Sequence, residues 1–341
     1  MSSIAPLRHR IVAPRSLPVP SSIDDLTWRP ATASDVDIIL DCARAIDAVD
    51  HPHFVTTREE IEEDLGHSYV SLERDSLLAV HGDGQVVAYG MVVLGPGQET
   101  LVRSIFLGGV RPSERDKGIG RQLLAWQEAR ALQQFAESDK ALPGWMIVWT
   151  DERATATVRL AERSGFQIAR YFLELRRDLS EPISPRPLEG YRIVPFDAAR
   201  SEAARLARND AFRDHWGSQP TTEENWNEMV GRSVFRSDLS FLAIAPDGDV
   251  AGFVLSEVNE EDFVPQGFSS AYIDLVGVRR AHRRGGIAPA LLTRTLEAIA
   301  AADLEKAVLD VDAENPTGAL DLYTGVGFVE ANRSLQLNKV F

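Results

Sequence analysis

The chain has 341 residues, long enough for two cores of ordinary size rather than one. Its 51 Asp plus Glu against 36 Lys plus Arg leave a formal net charge of -15, which disfavours a general nucleic-acid or anionic-membrane binder and would attract a cationic substrate, although such acidity equally serves solubility. No apolar run approaches the ~20 residues of a membrane helix, and the single cysteine excludes an internal disulfide.

The first residues, "MSSIAPLRHRIVAPRSLPVPSSIDD", are rich in Pro, Ser and Arg and have no continuous apolar stretch. They read as a flexible tail over 1–24 rather than a signal peptide, which places the protein in the cytoplasm. The run "LTWRPAT" then opens a strand, and a helix is predicted from Ser34, a suitable N-cap, to Ile46. Cys42 lies in that helix and reads as a buried, inert thiol. The "HPH" at His51 to His53 has no Cys or third ligand at metal spacing, so no metal is expected.

"LLAVHGDGQVVAYGMVVL" (Leu77 to Leu94) alternates around an Asp-Gly pair and predicts a hairpin. A further apolar run ends at Val110, followed by the basic, glycine-bearing "VRPSERDKGIGRQLL" and a helical pattern. "ERSGF" (Glu162 to Phe166) precedes a last strand.

The same order then returns. After "SEPISPRPLEG" (Ser180 to Gly190), a linker with three prolines among eleven residues, "YRIVPFD" opens a strand and Ser201 to Phe212 a helix. "FLAIAPDGDVAGFVLSEV" (Phe241 to Val258) is the second hairpin, "VRRAHRRGGIAPALL" (Val278 to Leu292) the second loop, and "TGVGF" (Thr324 to Phe328) answers "ERSGF". The offsets between copies are 164, 168 and 162 residues, a drift of the size loop insertions give. Two α/β lobes follow, each a mixed sheet covered by helices, at 25–179 and 191–341 with a linker at 180–190.

"AYIDLVGV" has the length of a buried central strand, and Leu291, Leu292, Thr295, Leu296 and Ile299 recur at helical spacing. The loop between them therefore meets a helix N-terminus, where unpaired N–H groups and the helix dipole suit phosphate. Gly285 and Gly286 allow close approach, and Arg279, Arg280, Arg283 and Arg284 put four positive charges in six residues. Neither a Walker loop nor a Gly-x-Gly-x-x-Gly fingerprint is present.

"RRGGIA" (Arg283 to Ala288) resembles the Arg/Gln-x-x-Gly-x-Gly/Ala signature of the GNAT N-acetyltransferases, and "DVDAENPTGALDLYTGVGF" (Asp310 to Phe328) resembles that family's next segment. The first half fits the same layout with "RDKGIG" (Arg115 to Gly120), so the resemblance is to tandem, two-lobed members such as the mycothiol synthases. It implies two GNAT lobes, acetyl-CoA as cosubstrate, and direct attack by the primary amine of a small-molecule acceptor, in a monomer or homodimer. The resemblance implies contacts to acetyl-CoA from Val276, Gly277, Val278, Arg283, Arg284, Gly285, Gly286, Ile287, Ala288, Asn315 and Tyr323. Within that set the N–H of Val276 would face the thioester oxygen, and Tyr323 would protonate the leaving thiolate.

For a base, Asp274 interrupts an apolar strand, and two-residue alternation puts it on the same face as Val276. His215 in "RDHWG" is a rival, and many family members have a Glu where this chain has Tyr272. Alignment of the copies puts Ala161 where Tyr323 stands, Phe106 at Asp274 and Arg153 near Asn315, so the first lobe is expected to be degenerate. An amino-sugar acceptor of the mycothiol type, or a non-enzymatic acyl-CoA sensor, are the alternatives. Thiol release on addition of amines separates enzyme from sensor.

Overall fold

In a computed structural model, which describes all residues except 1–3, 19, 22, 24, 316 and 317, the chain divides into two compact units. The first comprises Met1–Arg170 with Ser334–Phe341, the second Tyr171–Arg333. The boundary therefore differs from the lobes at 25–179 and 191–341.

The first unit contains β1 (Thr27–Arg29), α1 (Val36–Asp50), α2 (Arg58–Gly66), α3 (Leu72–Asp75), β2 (Ser76–Val80), β3 (Val86–Val93), β4 (Val102–Val110), α4 (Ile119–Ala136), β5 (Gly144–Asp151) and α5 (Thr155–Arg163). Then comes β6 (Gln167–Asp178), which carries the chain into the second unit. That unit holds β7 (Arg192–Pro195), α6 (Ser201–Ala211), α7 (Glu223–Gly231), β8 (Phe241–Ile244), β9 (Val250–Glu257), α8 (Phe263–Gln266), β10 (Ser270–Val278), α9 (Ile287–Ala301), β11 (Lys306–Asp312) and α10 (Ala319–Thr324). The last strand is β12 (Val329–Val340).

Each unit is a mixed sheet, with β4 parallel to β5 in one and β10 parallel to β11 in the other, the remaining pairings being antiparallel. Apolar side chains cover both faces. In the second unit Ile273, Leu291, Leu309 and Phe328 pack on the α9 side, and Leu242, Phe253, Leu255 and Trp226 on the α6 and α7 side.

The closing strands are exchanged between the sequence repeats. β6, the last strand of the first repeat, pairs antiparallel with β11 (Asp178 opposite Lys306 through Phe172 opposite Asp312) and adds Leu173 and Leu175 to the second unit's core. β12, the last strand of the second repeat, pairs with β5 and adds Leu335 and Leu337 to the first. A cut at the proline-bearing linker would thus remove one strand from each sheet. Leu337→Ala is expected to destabilise the first unit by about 2–5 kcal/mol, the usual cost of emptying a fully buried leucine site. Denaturant unfolding with limited proteolysis checks it, since the first cleavages should fall before Arg170 although the substitution lies at the opposite end of the chain.

Four described residues of the N-terminal segment pack on the core, where the sequence suggests a flexible tail over 1–24. Leu7 is fully buried, its N–H donates to Lys140 O (2.8 Å), and Ile11, Leu17 and Ile23 lie on the same core. Ser34 sits inside a short 3-10 turn whose cap is Thr32, boxed with Asp35. Cys42 is fully buried, and that burial pushes its thiol up to about 12, as an inert core cysteine requires.

Candidate active site

Both glycine-bearing loops fold alike. Each leaves its strand, makes a 3-10 turn, and enters its helix through two left-handed residues: Asp116 (φ 66°) and Gly118 (φ 86°) in the first, Arg284 (φ 64°) and Gly286 (φ 75°) in the second. In each the first arginine after the turn donates Nε–H back to the strand's last carbonyl, Arg115 to Val110 O (3.1 Å) and Arg283 to Val278 O (3.2 Å). Glycine at 118 and 286 is thus favoured, because most other L residues pay roughly 1–2 kcal/mol there.

The first bond of α9 runs from Ala290 N–H to Gly286 O (3.2 Å), and Pro289 has no N–H. Among the described residues, the amides of Arg284, Gly285, Gly286, Ile287 and Ala288 therefore lack an acceptor. Five converging donors at a helix N-terminus suit a pyrophosphate. The arginines are less uniform than their clustering in sequence suggests. Arg280 pairs with Asp214, Arg279 lies 3.5 Å from Asp249 and 3.9 Å from Asp210, and Arg283 also donates to Ala211 O (2.7 Å). These three fasten the loop to its own unit; Arg284, exposed, has no acidic partner among the described residues.

β10 determines the rest of the geometry. Its ladder with β9 slips between Ile273 and Leu275, so Asp274 is the extra residue of a β-bulge. Asp274, on whose carboxyl Arg208 of α6 and Arg232 after α7 act, lies with Leu275 on the α6 and α7 side, whereas Ile273 and Val276 pack on the α9 side. The expectation that Asp274 and Val276 share a face is therefore overturned, because the bulge reverses the alternation between them. Beyond it, Arg279 N–H donates to Ala251 O (2.9 Å), which makes Gly277 and Leu275 the residues bonded to β9. The N–H groups of Val276 and Val278 then point away from β9, towards β11. Pairing between β10 and β11 has already ended at Tyr272 opposite Val308, so a gap opens there. Gly277 faces the other way, and a Cβ on it would lie 2.3 Å from the Phe253 ring; its glycine serves packing.

Tyr323, 8% exposed, closes the α9 side with its ring edge-on to Phe328 at 6.0 Å. Burial pushes its phenol up to about 12, so it keeps its proton at neutral pH. Asn315 follows β11, its N–H donating to Asp312 O (3.0 Å); the Pro316 and Thr317 beside it lie outside the described residues. His215 stays near its neighbour's carbonyl, Trp216 O (3.3 Å), and against Phe212, which is the setting of a structural histidine.

The opposite face of the sheet is acidic. Burial pushes the Asp274 carboxyl up, and the charges of Arg232 and Arg208 oppose that shift. Tyr272 donates its hydroxyl proton to Asp310 Oδ2 (2.9 Å). Solvent reaches Asp310, yet the protein around it pushes its carboxyl up to about 6, the Tyr272 hydrogen bond acting downwards and Glu174 and Asp274 upwards. Sequence reasoning passed over Asp310, although "KAVLDVD" sets it in alternation with Ala307, Leu309 and Val311, which enter the core.

The first unit shares the loop's backbone but lacks the phenol, the bulge and as wide a gap. Ala161 accepts from Phe166 N–H (3.0 Å) as Tyr323 accepts from Phe328 N–H (3.1 Å), so the methyl group of Ala161 stands where the phenol does. β4 pairs with β3 without a slip at Phe106, and β4 pairs with β5 over five residues, to Phe106 opposite Val148, against three between β10 and β11. Lys117 is paired with Glu114 (2.8 Å) and Arg115 with Asp50 (2.6 Å), so two of the loop's cations are already engaged. At the turn after β5, Asp151 and Arg153 repeat the bond that Asp312 makes with Glu314 N–H (2.8 and 2.9 Å), which puts Ala154, one residue from Arg153, in Asn315's place.

The chain matches the Acetyltransferase (GNAT) family twice, over residues 40–166 and 202–328. It is 32% identical over 225 residues to a mycothiol acetyltransferase of Streptomyces griseus, covering 64% of this chain and 66% of that protein. A mycothiol acetyltransferase of Kocuria rhizophila is 29% identical over 258 residues, covering 73% and 79%. The chain thus spans about two thirds or somewhat more of the length of these relatives. Among solved structures, a GCN5-related N-acetyltransferase from Sphaerobacter thermophilus is similar with a TM-score of 0.67 at 24% identity, covering 94% of this chain and 97% of that one. A tandem GNAT protein from the clavulanic acid biosynthesis pathway has a TM-score of 0.65 at 16% identity, covering 92% and 98%. These two show the shared fold.

Proposed function

The chain belongs to the GNAT acetyltransferase family, and from that premise we propose that its second unit moves an acetyl group from acetyl-CoA to the primary amine of a small molecule. The observation that carries this reading is the gap beyond Tyr272 and Val308, where the N–H groups of Val276 and Val278 are turned away from β9. Among the described residues, the amides from Arg284 to Ala288 are left unpaired for a pyrophosphate, and Arg284 has no acidic partner. That donor set has the chemistry a CoA phosphate group calls for.

Bound acetyl-CoA supplies an activated acyl group and a thiol leaving group; the chain's residues do the rest. Val278 N–H holds the pantetheine arm, and Val276 N–H stabilises charge on the thioester oxygen. Tyr323 keeps its proton until the sulfur departs and then gives it up. The acidic face, with Asp274 and Asp310, draws an ammonium to the other side of the strand. The first unit, with Ala161 and Phe106 where the second has Tyr323 and Asp274, does not carry the reaction.

Incubation with acetyl-CoA and a panel of primary amines, read by free thiol, tests this. Amine-dependent thiol release is expected. Acetyl-CoA binding without release for any amine would instead support an acyl-CoA sensor. The names of the relatives favour a mycothiol-type acceptor as a second reading, which the same panel tests by including such an amine.

A further inference from the structure

The acidic face holds two carboxylates in different circumstances. Asp274, at the bulge, has Arg208 from α6 and Arg232 from just after α7 acting on it. Asp310 is reached by solvent and has Tyr272 as its hydrogen-bond partner, with no cation paired to it among the described residues. It lies on β11 two residues beyond Val308, where β10 and β11 have parted, and so borders the gap level with the bulge. Tyr272, projecting from the last paired residue of β10, fixes the carboxylate's position there.

Resting on the acetyl-transfer reading, we propose that Asp310, oriented by Tyr272, is the catalytic base: it receives the acceptor's ammonium and takes its proton. Asp274, already compensated by arginine, then sets the local field and does not carry the proton. In the reaction an N–H bond of the ammonium breaks and an O–H bond forms on Asp310, which passes the proton to solvent. The freed lone pair forms the C–N bond as the C–S bond breaks, and the sulfur takes the Tyr323 proton. The second nitrogen proton, lost as the amide forms, returns to the tyrosinate through solvent. The upward shift of Asp310 supports the role, since the carboxylate is ionised at neutral pH yet more basic than an ordinary one.

The groups that face Asp310 are Tyr272 and Asp274 on β10 and Glu174 on β6, the last held by Arg176 (2.6 Å). Arg208, Arg232 and Glu257 act on Asp274 and Tyr272 beside it. Expressed per protonated amine, the form Asp310 receives, wild-type kcat/KM should fall below about pH 6 as Asp310 becomes protonated. Asp310→Asn should lower it about 100-fold or more at neutral pH and abolish that acid limb. Asp310→Glu should recover part of the rate and keep the limb. Tyr272→Phe removes a hydrogen bond that favours the carboxylate, so the limb should move to higher pH. The full-length variants are compared with a responsive amine from the panel, with folding checked by circular dichroism. If wild type turns over while folded Asp310→Asn keeps the acid limb, whether or not its rate falls, the base assignment is wrong and the acetyl-transfer reading stands. If wild type turns over with no amine, the acetyl-transfer reading itself fails and takes the assignment with it.

Discussion

Gly286→Glu is expected to abolish acetyl transfer and acetyl-CoA binding together, while Gly118→Glu leaves most of both. The two glycines are a matched pair: each precedes its helix in a left-handed conformation, at φ 75° and 86°. Each substitution therefore carries a similar backbone strain of roughly 1–2 kcal/mol, and strain cannot distinguish them. The environment does. Nothing lies within 4 Å of a Cβ at Gly286, so a glutamate there fits sterically but places its carboxylate beside the unpaired amides of Arg284 to Ala288. At Gly118 the same charge lies beside Arg121 Nη2, 3.4 Å from the new Cβ, and in a unit where Ala161 and Phe106 stand in place of Tyr323 and Asp274. Gly286→Asn, which tolerates the conformation and adds no charge, should retain substantial binding. Calorimetric titration with acetyl-CoA and thiol release measure both arms. Equal loss from the two glutamates in folded protein would show that the first loop takes part in the reaction.

Tyr323→Phe should lower turnover by about 100- to 10,000-fold with acetyl-CoA affinity nearly unchanged, the range typical of a lost general acid. The phenol makes no hydrogen bond to a described residue, so its removal leaves no protein donor or acceptor stranded, and its edge contact with Phe328 is kept by phenylalanine. The fold should therefore tolerate the change. Burial holds the phenol near 12, so in wild type any decline from its deprotonation lies at strongly alkaline pH. An unchanged kcat would make Tyr323 a packing residue. Ala161→Tyr is no rescue in the first unit, because that site is 1% exposed and the gap beside β4 is shorter.

Much of this architecture is local and was legible in the sequence. The Asp-Gly pairs impose hairpins because Gly84 and Gly248 take φ of 92° and 96°, and Gly118 and Gly286 open helices for a like reason. The contrast of Tyr323 with Ala161 also survives, because the turn ending in Gly-Phe has the same backbone bonds in both copies. What the chain does across distance was not legible. β6 and β12 each have an alternating pattern that would suit either β5 or β11, and alternation specifies a face but not a partner, so their exchange appears only in the tertiary pairing. The bulge at Asp274 is likewise set by its pairing with β9, and one inserted residue was enough to turn Asp274 and Val276 to opposite faces. Three of the four loop arginines find their partners in α6, in the segment after it, or in the hairpin turn at Asp249, which no count of charge within the loop contains. Asp310 became a candidate base only once β10 and β11 parted and Tyr272 reached across to it, a juxtaposition of residues 38 positions apart that depends on where two parallel strands stop pairing.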